Sequence, residues 1–287
     1  MGFIFRLFSR LPLPVLHNFG AALGWLIWLV SPTYRRNFRQ NIGLAGLADA
    51  PAIRRAAIAE AGKGIAELPK IWLRPQAEVV GRVAKVSGWE LVEAARAAGR
   101  GVLYLTPHIG CFEITAQYLA ARPSADGVVH PITVLYRRPR QDWLAPLMEI
   151  GRGTNLKLAP ADLSGVRRLM KALKHGEATG MLPDQVPGNG EGIWAPFFGR
   201  PAYTMTLAAR LAEGGATVLL TYAERLHYGA GYHIHFIALS RLLTGDLPVR
   251  VAQINGEIEK IIRLCPEQYL WGYNRYKRPA GAPEPQQ

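Results

Sequence analysis

His108 and Glu113 stand five positions apart in the stretch Thr106-Pro-His-Ile-Gly-Cys-Phe-Glu113, a pairing that can move a proton. Within one regular helix an i,i+5 pair lies about 140° apart and does not meet. His108, however, follows a short apolar run and Pro107, with Gly110 two residues on, which predicts a strand-to-helix loop. With the helix starting near Gly110, Glu113 falls in its first turn and can reach back to the imidazole. A carboxylate on one ring nitrogen fixes the tautomer, raises the basicity of the other nitrogen and stabilises the imidazolium. That equips His108 as a general base acting without a protein nucleophile. Spacing alone leaves a second reading open: a histidine bonded to a helix start beside an unrelated glutamate.

Further candidates lie at the ends of other apolar runs. Asp184-Gln185 follows Ala178–Pro183 and can bind a partner group or cap a loop. Arg137 and Arg138 follow Tyr136, with Arg152 and Arg167 soon after; arginines gathered at strand ends suit phosphate recognition, and equally an ordinary solvated surface. His233 and His235 would share a strand face, and His227 is near. No carboxylate or cysteine stands at matching spacing, so these histidines read as structural or solvated and no metal is expected. Gly188-Asn-Gly-Glu-Gly192 reads as a mobile loop. No G-x-S-x-G, P-loop, G-x-G-x-x-G or H-E-x-x-H occurs. Cys111 and Cys265 form no C-x-x-C, which excludes a disulfide scaffold and a zinc ribbon and leaves two free, buried thiols.

The elements that must position these residues alternate along the chain. Apolar runs at 101–106, 128–136, 155–159, 178–182, 216–222 and 232–239 read as strands. Helical periodicity covers 51–73, 89–98, 111–121, 162–175, 203–213 and 247–264. The expected fold is therefore α/β, a mostly parallel central sheet flanked by helices, with the site beyond the carboxyl ends of the strands. Ahead of it, Leu11–Val30 is twenty residues without a formal charge, enough for roughly 30 Å of helix. Arg6 and Arg10 precede it, Arg35, Arg36 and Arg39 follow, and no small-residue cleavage site ends it. It can span a membrane, lie in the interface or pack as a buried amphipathic helix. Trp25, Trp28 and the flanking arginines favour membrane attachment, with the domain on the cytoplasmic face. The expected division is a membrane-anchoring segment at 1–40, the main domain at 41–278 and a loose Pro/Ala/Glu/Gln-rich tail at 279–287.

Of the 287 residues, 49% are hydrophobic and 19% charged, which excludes a disordered chain. The mean hydropathy of +0.04 is low for a multi-span membrane protein. A net charge of +13 asks for an anionic partner. No basic motif interleaved with aromatics supports nucleic acid.

Taken together, these blocks resemble the lipid A biosynthesis acyltransferases, the lauroyl/myristoyl transferase group related to the glycerolipid acyltransferases. The resemblance runs over nearly the whole chain. It is carried by His108-x4-Glu113, Tyr136-Arg137-Arg138, Leu182-Pro-Asp-Gln185, Ala195-Pro-Phe-Phe-Gly199, and Pro266-Glu-Gln-Tyr-Leu-Trp271 with Tyr276-Lys277. It implies transfer of a fatty acyl group from an acyl carrier protein thioester to a hydroxyl of a lipid A precursor. This is a late acylation in lipopolysaccharide biosynthesis, at the inner membrane, with no metal or organic cofactor. By the resemblance, His108 is the base, Glu113 orients it, Arg137 and Arg152 take an anionic group, and Asp184, Gln185, Phe198 and Gly199 line the substrate pocket. Acyl carrier protein is acidic and lipid A precursors carry phosphates, so the positive charge suits both partners and an anionic membrane surface. Two departures bear on the acceptor. Many relatives carry a histidine or basic residue in the segment where this chain has Gly272-Tyr-Asn-Arg275, and the chain is short for the group. Acylation of an ornithine lipid or a glycerophosphate stays within the same chemistry. A hydrolase and a non-catalytic basic membrane-binding protein are the alternatives of other classes.

Overall fold

A computed structural model of the chain describes residues 2–137, 139, 155–188 and 190–285. Its centre is a sheet built from β1 (Val83–Ser87), β2 (Val102–Leu105), β3 (Ile132–Tyr136), β4 (Leu156–Pro160), β5 (Ala178–Met181), β8 (Thr217–Arg225) and β9 (Tyr232–Ala238). The order is β1-β9-β8-β2-β5-β3-β4, and all neighbours are parallel except β8 and β9. The four residues of β2 are all buried, as a strand covered on both faces requires. Leu103 and Leu105 enter one core, whereas Val102 and Tyr104 enter the other. The mostly parallel α/β architecture is as expected.

On the Tyr104 face lie α4 (Ala50–Leu73), the short α5 (Gln76–Val80), α6 (Trp89–Ala97) and α7 (Phe112–Leu119). The Leu103 face is covered by α8 (Leu163–Lys174), α9 (Leu207–Glu213) and α10 (Leu247–Leu264). α10 starts at Asp246, whose carboxylate accepts from Val249 N at 3.1 Å, and α8 at Asp162, which accepts from Ser164 N and Gly165 N. A separate hairpin pairs β6 (Gly192–Phe197) with β7 (Arg200–Met205).

The chain begins with α1 (Gly2–Arg10), α2 (Leu13–Val30) and α3 (Pro32–Leu44). By length and composition α2 can cross a membrane, but a third of it is buried inside the protein. It lies against α4 so closely that a Cβ on Gly62 would sit 1.9 Å from the Gly20 carbonyl oxygen. Its other face is apolar and exposed through Val15, Phe19, Leu26, Leu29 and Val30. Trp28 and Phe38 join the core of the main domain, and Asn41 of α3 donates to the carbonyls of Trp271 and Tyr273 at 2.7 Å. At the other end the stretch expected to be loose packs through Ala282 against Val186 and Tyr203. The Trp194 indole N–H also donates to the Pro283 carbonyl at 2.8 Å.

Candidate active site

Strand β2 delivers the histidine. After Leu105 the ladder continues through Thr106 N–H to the Met181 carbonyl, and Pro107 ends it. The turn to α7 is held from two sides. Gly110 N–H donates to the Gln268 carbonyl at 3.0 Å and Leu270 N–H to the His108 carbonyl at 3.1 Å, so the segment after α10 pins the loop. Cys111 N–H donates to the Ala223 carbonyl at 2.8 Å on β8. Gly110 has φ +58°, and a Cβ there would meet the Ala223 oxygen at 1.9 Å, so only glycine fits.

The ring of His108 is bonded at both nitrogens. Nδ1 lies 2.8 Å from Asp184 Oδ1, and the main-chain N–H of the same histidine donates to Asp184 Oδ2 at 2.9 Å. Nδ1 beside a carboxylate carries the proton, so Nε2 presents its lone pair. Gln185 Nε2 sits 3.1 Å from it and donates. Asp184 is 2% exposed. Burial pushes its carboxyl up, but the charge of His108 and the two bonds from that residue pull it below the ordinary carboxylate range. The neighbouring Tyr269 phenol is pushed well above its usual value by burial and then by the Asp184 charge, so it stays neutral.

Two cavities meet at this point, sharing Leu135 and Leu182. The larger is lined by His108, Arg137, Gln185 and Arg210 with Leu163, Met205 and other apolar side chains. The narrower runs between α7 and the sheet past Glu113, Tyr104, Leu119 and Ile132. The arrangement is a base whose unprotonated nitrogen is held by Gln185 beside a half-open, largely apolar chamber with cations at its rim. Cys111 is no rival nucleophile: burial and then the Glu67 charge push its thiol well up, so it stays S–H.

A family model described as bacterial lipid A biosynthesis acyltransferase matches residues 2–278. The chain belongs to that family. It is 29% identical over 283 residues to the lipid A biosynthesis lauroyltransferase of Escherichia coli, an alignment spanning 96% of this chain and 89% of that one. The palmitoleoyltransferase of the same organism is 28% identical over 287 residues, with the same coverage of both chains. A lipid A biosynthesis acyltransferase of Haemophilus influenzae is 25% identical over 288 residues, covering 96% and 88%. The protein is accordingly an acyltransferase.

The residues predicted for this acyltransferase's site divide three ways. His108, Asp184, Gln185 and Arg137 come together around the larger cavity. Glu113 lines the adjoining one, half-buried, and the carboxylate on the His108 ring, at Nδ1, is Asp184. The reason is geometric: the PDQ turn brings a carboxylate within reach of both the ring and the main-chain N–H of His108, which fixes the residue twice. Phe198 and Gly199 are not part of either cavity. They form the two-residue turn between β6 and β7, with φ +47° and +71°, and Phe198 N–H is bonded to Glu259 at 2.7 Å. Arg138 and Arg152 lie outside the described residues. The reading of the sequence missed Arg210 at the cavity and the role of Gln268 and Leu270 in pinning the loop. The block Pro266–Trp271 was the one signal for the latter. The buried Arg275 donates to the Tyr203 carbonyl at 2.9 Å and to Thr204 Oγ1 at 2.7 Å, so its place is in the packing of the hairpin.

Proposed function

We propose that this acyltransferase moves a fatty acyl group from an acyl carrier protein thioester to a hydroxyl of a lipid A precursor, with His108 as general base. What carries the reading is the pairing of His108 Nδ1 with a buried, ionised Asp184 while Nε2 faces the chamber. The acceptor hydroxyl takes the place of the Gln185 amide at Nε2. As its oxygen attacks the thioester carbonyl, Nε2 receives the proton and Asp184 stabilises the imidazolium. The Gln185 N–H, displaced from the ring, is placed to donate to the developing oxyanion. Collapse breaks the C–S bond, and the carrier thiol leaves with the proton from His108. General-base help of this kind is worth about 10²–10⁴ in rate.

The partners follow from charge and surface. A net charge of +13 and Arg137 and Arg210 at the cavity suit a phosphorylated acceptor and an acidic carrier. The exposed apolar face of α1 and α2, with Phe3, Leu7, Phe19 and Leu29, suits docking on the cytoplasmic face of the inner membrane, where both substrates meet. The test is mass spectrometry of total lipid and lipid A from cells with the wild type, without the protein, and with His108→Ala. Loss of one acyl mass from lipid A in both defective arms is expected. Unchanged lipid A with a shift in another lipid would move the acceptor to an ornithine lipid or glycerophosphate, and no lipid change would overturn the catalytic reading.

A further inference from the structure

The far side of β8 holds a second group of side chains with ligand chemistry. In the antiparallel register Glu224 faces His233 and Tyr222 faces His235. Side chains alternate along a strand, so these four share one face, while Ile234 between the histidines enters the opposite core. The carboxylate that linear spacing lacks is therefore supplied by the neighbouring strand. Glu224 Oε2 lies 3.2 Å from His235 Nε2 and 3.8 Å from His233 Nδ1, and the three donor atoms all fall within 4.8 Å of one another.

We propose that Glu224, His233 and His235 form a binding site for a divalent transition-metal ion, with zinc the fitting probe. Bonds of about 2.0–2.2 Å to imidazole nitrogen and carboxylate oxygen put tetrahedral ligands roughly 3.3 Å apart. The two Glu224 distances bracket that value. The two imidazole rings are 3.7 Å apart between centroids, and their ligand nitrogens lie within 4.8 Å of each other and of the carboxylate oxygen. Two imidazoles with one carboxylate suit zinc, nickel or copper in preference to magnesium or calcium.

The surroundings hold the ligands as such a site needs. Ser87 Oγ, across the β1–β9 pair, lies 2.8 Å from His233 Nε2, which fixes that ring and leaves Nδ1 for the ion. Tyr222 stacks on His235 at 4.5 Å with planes 7° apart. The His233, His235 and Glu224 side chains are 10%, 21% and 34% exposed, so an ion can enter and water can complete its shell. Among the described residues, Lys85, the register partner of His233 on β1, opposes binding. Its charge weakens the site without blocking it. An ion here joins β8 to β9 beside the edge strand β1.

The experiment is zinc titration of the untagged full-length protein by calorimetry, with metal analysis after dialysis and thermal melts with and without zinc. One ion per chain and a zinc-dependent rise in Tm are expected. His233→Ala and His235→Ala should each weaken binding by more than about 100-fold and Ser87→Ala by about 10-fold, while Lys85→Met strengthens it. Cobalt in place of zinc should give the visible bands of a four-coordinate ion, lost in Glu224→Gln. His108→Ala keeps the stoichiometry at one. No zinc uptake by the wild type, or uptake unchanged in the His233/His235 double variant, overturns the proposal. Far-UV circular dichroism and metal-free melts show that each variant compared is folded.

Discussion

At His108 the carboxylate bonded to the ring is Asp184, and that contact makes it the candidate for the orienting role that the sequence suggested for Glu113. Asp184 touches the ring and the main chain of the histidine, at 2.8 and 2.9 Å. Asparagine in its place keeps the shape but donates to Nδ1 or accepts without charge, which favours the wrong tautomer and withdraws support from the imidazolium. Asp184→Asn is therefore expected to lower kcat by up to about 10⁴-fold with KM nearly unchanged. Steady-state rates of Asp184→Asn and Glu113→Gln, with His108→Ala as the floor, check this. An Asp184→Asn enzyme with wild-type kcat would return the orienting role to Glu113. The sequence made His108 legible because a strand, a proline and a glycine announce a loop at a strand's end. It concealed the partner because Asp184 is 76 residues away and only the β2–β5 pairing brings them together.

At the level of elements, the loop after His108 is tied to the N-terminal helices through buried charge. Arg225 at the end of β8 donates from Nη2 to the Gly110 carbonyl at 2.6 Å and from Nε to Glu67 of α4 at 2.8 Å. Glu67 also takes the Tyr232 hydroxyl at 2.9 Å and lies 3.2 Å from His17 Nε2 of α2. Burial pushes the Glu67 carboxyl up, but Arg225 and then His17 bring it down to about 2 from 4.5. A depressed carboxyl contributes stability that is complete above its unfolded value and is lost as pH falls through the folded one. Stability should therefore decline between about pH 4.5 and about pH 2. Glu67→Gln should destabilise the protein at pH 7, by less than the roughly 3–5 kcal/mol of a fully orphaned buried charge because Glu60 still lies 3.3 Å from Arg225 Nη1, and should show a flatter acid limb. Urea unfolding at steps from pH 3 to 7 measures both. The same scale shows why some elements escaped the sequence. β1 is a five-residue edge strand without an apolar run. β6 and β7 each contain a proline, normally a mark against a strand. Pro196 and Pro201 face each other at the pair next to the one closing the turn, where an antiparallel ladder needs no N–H.

For the whole molecule, the question is how the proposed membrane docking would use an eighteen-residue apolar helix. Length and composition alone allow α2 to cross, and that is all a sequence shows. Contact with α4 sets a further condition. Gly20 and Gly24 of α2 abut Gly62 so closely that no side chain fits between, and His17 reaches Glu67. α2 therefore moves as one body with a helix that carries Glu60, Lys63, Glu67 and Lys70, and these charges cannot follow it into hydrocarbon without a cost of about 2.5–3.5 kcal/mol each. The placement this favours is α2 on the membrane surface, its Phe19, Leu26 and Leu29 side inserted and its glycine side on the protein. Replacing those three by serine removes about 1 kcal/mol each of interfacial burial, so binding to anionic vesicles should fall roughly 100-fold. Salt should weaken what remains. Sidedness separates the two placements directly. Arg6 precedes α2 and is exposed, Leu242 is exposed on the main domain, and the native thiols Cys111 and Cys265 are buried. On a surface-lying helix, Arg6→Cys and Leu242→Cys react with a membrane-impermeant maleimide from the same side of everted membrane vesicles. A crossing helix would put them on opposite sides, and would require α4 to part from α2.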